Sequence, residues 1–127
     1  MFQNAKELYD KMRHTPNLCG KIQLDGEIIR WDLHMGYQIQ ISVDPRDTYF
    51  NIEQKPGGVK ENQITHWHPD PNEIFDQICN IGLRGNILVI RKNFLWSSVL
   101  YMGTEEGCPY SKTKKWSWGK LFYLQAN

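Results

Sequence analysis

The chain has few cysteines and no long apolar run, and these shortages exclude several classes of protein. Cys19, Cys79 and Cys108 are odd in number and widely spaced, and none of them belongs to a C-x-x-C pair. Their spacing argues against a disulfide framework and against a thiolate zinc site. No stretch approaches the roughly 18 consecutive apolar residues that a transmembrane helix requires. The first residues lack the basic start and apolar run of a signal peptide, so we expect a cytoplasmic protein.

The motifs of the common phosphate-binding and hydrolytic sites are also missing. Pro56-Gly57-Gly58 lacks the spacing and the lysine of a P-loop, and no G-x-S-x-G nucleophile elbow occurs. The absence of these motifs makes an enzymatic function less favoured but does not exclude it, because ribonuclease-like sites can be assembled from scattered His, Lys and Tyr side chains.

The chain does contain enough apolar material for a packed core. Its 127 residues are 40% hydrophobic and 13% aromatic, which predicts one folded domain over residues 1–127. The formal net charge is +1, but the charge is unevenly distributed. Residues 1–83 carry 8 Lys/Arg and 12 Asp/Glu, whereas residues 84–127 carry 7 and 2. The two parts either attract each other within the fold or present unlike surfaces to partners.

Hydrophobic periodicity predicts an α+β domain with a mainly antiparallel sheet of six to eight strands. Asp25-Gly26 predicts a hairpin turn that places Ile22 opposite Ile29. Asp70 and Glu73 are spaced as the N-cap and N3 residues of a second helix. The predicted helices cover residues 5–14 and 71–81, and the predicted strands cover residues 21–24, 27–33, 36–43, 48–54, 63–68, 86–92, 97–102 and 116–124.

Two histidines form the most distinctive chemical pattern. His66 and His68 are two residues apart on a predicted strand, so their side chains lie on the same face. Asp32 and His34 have the same spacing and could complete a zinc, manganese or iron site if their strand lay beside the histidine strand. The alternatives are a contact with a partner, or the polar face of an edge strand with Trp67 packed inward.

The segment His66-Trp67-His68-Pro69 resembles the His-x-His-Pro motif of the JAB/MPN metalloproteases. That resemblance implies a metal-dependent hydrolase with both histidines as ligands. The family pattern continues with a serine and an aspartate, and this chain has Asp76 and Cys79 at those positions. Only Glu27 stands in the region of the upstream catalytic glutamate.

The segment of residues 111–120 is basic and contains two tryptophans. Lysines beside aromatic rings are typical of proteins that bind single-stranded nucleic acid through phosphates and bases. The sequence pI of 7.7 is low for such a protein, for which about 9 or more is usual. Protection of a strand edge and capture of a partner protein are the alternatives. The candidate binding residues are Lys112, Lys114, Lys115, Trp116 and Trp118.

Together these patterns favour a small non-catalytic binding protein. By analogy with other compact domains, and not from any residue, we expect an inhibitor- or immunity-type protein of bacterial or phage origin. Its partner would be a protein or a nucleotide-like molecule held on a sheet surface, with a homodimer as a further option and no cofactor. The first alternative is a metal-dependent hydrolase or nuclease that uses His66 and His68. The second is a single-stranded nucleic-acid binder that uses the basic C-terminal segment.

Overall fold

The computed structural model describes residues 2–34, 37–54, 64–92, 96–110 and 120–126, and within these ranges it confirms the α+β class. Two helices and eight strands are present in the described ranges. They are α1 (Ala5–Arg13), β1 (Lys21–Asp25), β2 (Ile28–Asp32), β3 (Tyr37–Ser42), β4 (Tyr49–Gln54), β5 (Ile64–Trp67), α2 (Ile74–Gly82), β6 (Ile87–Lys92), β7 (Ser97–Gly103) and β8 (Lys120–Gln125).

The described strands fall into two antiparallel sheets rather than one. Strands β1 to β5 are neighbours in chain order, so the five-stranded sheet is a simple meander. After β5 the chain continues into α2, and β6 then pairs with β7 and β8 in the order β7-β6-β8. The predicted hairpin of β6 and β7 is confirmed, and its register shifts between Val89 and Ile90.

The first hairpin has the predicted buried face but a different register. Ile22 lies opposite Trp31 rather than Ile29. The loop begins at Gly26, one residue later than predicted, because Asp25 is still paired in the ladder. Gly26 has a φ of 62°, and a type II′ turn requires such a positive φ at its first central position. A shift of two residues keeps the alternation of side chains, so the apolar set stays on the same face.

Helix α2 begins later than the capping pattern predicts. The helix starts at Ile74, and Glu73 occupies the N-cap position without a side-chain cap hydrogen bond. Asp70 instead closes a turn before the helix: its carboxylate accepts from the backbone N–H of Asn72 at 2.9 Å, and its carbonyl accepts from Glu73 at 2.8 Å. Aspartate bonds readily to the backbone two residues ahead, and this local turn replaces the predicted first helical turn.

The core is one cluster that receives side chains from α1, α2 and both sheets. Trp31 is 0% exposed, and its indole N–H donates to the carbonyl of Cys19 at 2.8 Å. Gly82 lies directly against this ring, because a Cβ there would lie 2.8 Å from an indole carbon. The close approach of α2 to β2 therefore depends on glycine.

The two sheets meet where β5 lies beside β7. The Thr65 hydroxyl, which is fully buried, donates to the Ser97 hydroxyl at 3.0 Å. After β8, the carbonyl of Ala126 accepts from the backbone N–H of His34 at 3.1 Å, which ties the C-terminal strand back to the end of β2. Within the described part of the chain, neither helix has the length and apolar character needed to cross a membrane.

Candidate functional site

The five-stranded sheet turns a polar face away from the core. Residues that lie opposite each other in neighbouring strands share a face, so the strand register defines rows across it. One row contains Gln23, Arg30, Gln40, Asn51 and His66, and the adjacent row contains Lys21, Asp32, Gln38 and Glu53. We call this surface the polar face.

A network of amides and carboxylates connects the central strands of the polar face. The side-chain amide of Gln38 donates to Asp32 at 2.6 Å, and the amide of Gln40 donates to both Gln38 and Glu53 at 3.0 Å. Gln38 and Glu53 are each only 7% exposed. Because a glutamine amide has two N–H groups, Gln40 can supply both bonds. The network satisfies these buried polar atoms internally, which is a structural role.

The structure does not bring the four candidate metal ligands together. Asp32 lies at the end of β2 and His34 just beyond it, whereas His66 lies on β5 and His68 just after it. Strands β3 and β4 separate them, which corresponds to about 14 Å at the usual strand spacing. Among the described residues no group of three or more His, Cys, Asp or Glu side chains could hold a metal ion. Metal binding by the histidine pair stays a prediction, which elemental analysis tests.

His66 is exposed on β5, and His68 is exposed just after the end of that strand. Trp67 packs inward, edge-to-face on Phe50 with 5.3 Å between ring centroids, as one of the sequence-based alternatives describes. The imidazole Nδ1 of His68 lies 3.2 Å from a carboxylate oxygen of Asp47, and its ring is 5.7 Å from that of Tyr49. This exposed pair orients the imidazole, and its contribution to stability is small.

The candidate residues of the C-terminal segment lie outside the described residues. These are Lys112, Lys114, Lys115, Trp116 and Trp118, which all fall between residues 111 and 119. Their proposed role in binding a nucleic acid or a protein stays a prediction.

The three-stranded sheet turns a different surface outward. Val89, in the central strand, lies opposite Tyr101 of β7 and Tyr123 of β8, and it is 0% exposed. The side chains that alternate with this row, including Leu88 and Ile90, pack into the core. We define the aromatic face as Arg91, Trp96, Tyr101, Leu121 and Tyr123, which surround Val89 or continue its row.

Tyr101 is held in place on this face. Its hydroxyl donates to the carbonyl of Thr104 at 2.7 Å. The ring packs over Gly103, where a Cβ would lie 2.6 Å from the hydroxyl oxygen. The side chain is therefore already positioned, and binding against it would cost little conformational entropy.

Trp96 is the most exposed side chain of the aromatic face, and it lies against the partly buried Arg91. The guanidinium carbon of Arg91 lies 4.7 Å from the centroid of the Trp96 ring, which is a cation–π contact. Trp96 is 46% exposed, a high value for tryptophan. The Nε–H of Arg91 is buried and has no hydrogen-bond partner. Such an atom calls for an explanation, because buried donors in native proteins are nearly always satisfied.

Sequence reasoning missed this pair. The signal that could have found it is an arginine at the end of the apolar run 87–90, followed after four residues by a tryptophan outside any alternating pattern. Residue Lys92, next along the strand, points the other way and is buried, with its ammonium 5.4 Å from the centre of the Phe122 ring. Burial lowers the pKa of Lys92.

A groove of about 540 Å³ runs between the two helices. The ammonium of Lys11 lies 4.2 Å from the ring centre of Phe75 and 5.5 Å from that of Phe2. Glu7 and Asn72 also line the groove. The contact of Lys11 with Phe75 joins α1 to α2 at the surface, above the core that both helices share.

Comparisons of the chain with family models, with curated proteins and with solved structures found no match. The function is therefore inferred from the residues and their geometry.

Proposed function

We propose that this chain is a small binding protein that holds a protein partner on the aromatic face and catalyses no reaction. The observation that carries the proposal is the exposed Trp96 ring stacked on Arg91, whose buried Nε–H has no partner. Tryptophan, tyrosine and arginine are the residues most enriched among those that dominate protein–protein binding energy. Within this class we favour an inhibitor- or immunity-type role, which requires only a compact domain with one binding face.

Two features favour a protein over a nucleic acid as the partner. The centre of the aromatic face is apolar, because Val89 lies there between Tyr101 and Tyr123. The described part of the aromatic face carries a single cation, Arg91, whereas binding to a polyanion depends on several phosphate contacts.

The test is a selection of binders from a displayed random-peptide library against the folded chain. We expect enriched peptides to bind Trp96→Ala at least about tenfold more weakly, the loss typical of a central interface tryptophan. Leu83→Ala is the matched control, because Leu83 is similarly exposed, at 42%, but lies at the end of α2. Peptides that bind the wild type and Trp96→Ala equally well, or a failure to enrich any peptide, would contradict the proposal.

A further inference from the structure

We infer that the partner presents a carboxylate to Arg91, so that an acidic segment of a protein is what the aromatic face recognises. This inference rests on the proposed function and specifies the chemistry of the partner. The guanidinium carbon of Arg91 lies 4.7 Å from the centre of the Trp96 ring, and no ion pair among the described residues uses its N–H groups.

Arg91 has no acidic counterpart in the described part of the chain. No ion pair among the described residues includes it. Its neighbours across the sheet are Ser98 on β7 and Leu121 on β8, and neither carries a charge. The acids Glu105 and Glu106 follow β7 beyond Gly103, which pairs with Ile87, about 13 Å from Arg91 along β6.

The undescribed segments that adjoin β6, β7 and β8 in the sequence do not supply a carboxylate either. Residues 93–95 and 111–119 contain neither Asp nor Glu. The part of the chain from residue 84 onward carries 7 Lys/Arg against 2 Asp/Glu. An acidic partner complements this charge, and complementarity of this kind speeds association and selects the partner.

The guanidinium plane selects among anions by shape. Its N–H groups form a rigid fork that matches the two oxygens of a carboxylate, and the aromatic ring beside it restricts how the fork can turn. A phosphate backbone would require several cations at regular spacing. On the described part of this face Arg91 is the single cation, since Lys92 points to the opposite side of the sheet. The arrangement therefore favours an Asp or Glu side chain that is flanked by apolar groups.

The experiment uses peptides selected against the folded chain by display. We expect each binder to contain an Asp or Glu whose replacement by Asn or Gln weakens binding at least about tenfold, as for a hydrogen bond to a charged group. Arg91→Gln should lower the affinity for the acidic peptide by the same factor. The Arg91→Gln variant should then bind the acidic peptide and its amide counterpart with equal affinity. In a double-mutant cycle this appears as a coupling between the two substitutions.

Two control variants make the result decisive. Arg84→Gln removes an equal charge from the other end of β6 and should leave the affinity within about twofold, as expected for a distant exposed charge. Arg91→Lys keeps the charge but loses the fork, and it should recover only part of the affinity. It also replaces Arg91→Gln if circular dichroism shows that the latter does not fold.

Two results would overturn the inference. The first is a set of tight binders without any required acid, or binders that Arg91→Gln does not weaken. If Trp96→Ala still weakens them, the proposed function stands and only the acidic anchor fails. The second is binding of an oligothymidylate that is tighter than that of any acidic peptide and sensitive to Arg91→Gln, which would assign the face to nucleic acid.

Discussion

The two sheets share one core, but their outward faces are built from different side chains. On the polar face, Gln40 joins Glu53 and Gln38 in a hydrogen-bonded network, while the side-chain oxygen of the neighbouring Asn51 is buried without a partner. On the aromatic face, the Nε–H of Arg91 is buried without a partner beside an exposed Trp96. The network of the polar face stabilises the fold, whereas we propose that the guanidinium of Arg91 binds another molecule.

The largest loss of stability is expected for a substitution in the core that both faces share. Trp31→Ala should lower the free energy of unfolding by about 3–5 kcal/mol, because it removes a fully buried ring and its hydrogen bond to Cys19. Denaturant unfolding followed by circular dichroism measures this loss. Ile64→Ala, at an exposed site, should stay within about 0.5 kcal/mol of the wild type.

Hydrogen exchange of the Trp31→Ala variant tests whether the two sheets unfold as one cooperative unit. Amides of β3 and of β6 should lose protection together, since residues of both strands belong to the same cluster. If β6 stayed protected while β3 opened, the two faces would belong to independently stable parts and the comparison would fail.

An intermediate loss of stability is expected for a substitution in the hydrogen-bonded network of the polar face. Gln40→Ala should cost about 1–3 kcal/mol of stability, because it leaves the buried carboxylate of Glu53 and the carbonyl of Gln38 without this donor. Gln23→Ala removes an exposed glutamine from the same row and should change stability by less than about 0.5 kcal/mol. If Gln40→Ala weakened peptide binding as much as Trp96→Ala, the polar face would be a second binding surface.

The smallest effect concerns an unpartnered group inside the core. The Tyr37 hydroxyl is buried without a hydrogen-bond partner, and burial raises the pKa of Tyr37. The folded state therefore holds this proton more tightly than the unfolded state. The resulting stability is complete below the unfolded pKa of about 10 and falls as the pH rises further.

Tyr37→Phe should reduce this alkaline loss of stability. At pH 7 the variant should be as stable as the wild type or up to about 1 kcal/mol more stable, because an unsatisfied hydroxyl is removed. Urea unfolding at pH 7 and at pH 11 measures both effects. Tyr49→Phe, on the polar face, should retain the alkaline loss of the wild type; if it behaved like Tyr37→Phe, burial of Tyr37 would not be the cause.

Much of the fold could be predicted because local patterns determine it. The alternation of Tyr37, Ile39 and Ile41 with glutamines identifies β3 and its buried face, and the structure buries all three. The glycine at position 26 locates the first hairpin, although the register differs by two residues. A shift of two residues preserves the alternation, so the apolar pattern alone cannot distinguish the two registers.

The start of α2 shows a limit of local reasoning. Asp70 has the residue type and spacing of a helix cap, but the same carboxylate can close a turn to Asn72. Both structures satisfy a backbone N–H with one aspartate, so the sequence pattern is equally compatible with either.

Some features of the candidate sites also follow from local sequence patterns, whereas others depend on tertiary contacts. The side-chain direction of His66 and the inward packing of Trp67 follow from strand alternation, and the structure agrees. Whether His66 lies near Asp32 depends on the order of strands in the sheet, which periodicity does not encode. The stacking of Trp96 on Arg91 similarly requires the chain to return across the sheet after residue 92.

By itself, the amino-acid sequence determined the α+β class, the presence of most helices and strands, and the face that each strand buries. These properties depend on periodicity and turn chemistry over a few neighbouring residues. Only the tertiary structure decided that eight described strands form two sheets, that two strands separate the histidine pair from Asp32 and His34, and that Arg91 meets Trp96. Those properties depend on contacts between distant segments, whose pairing is selected by the packing of one shared core.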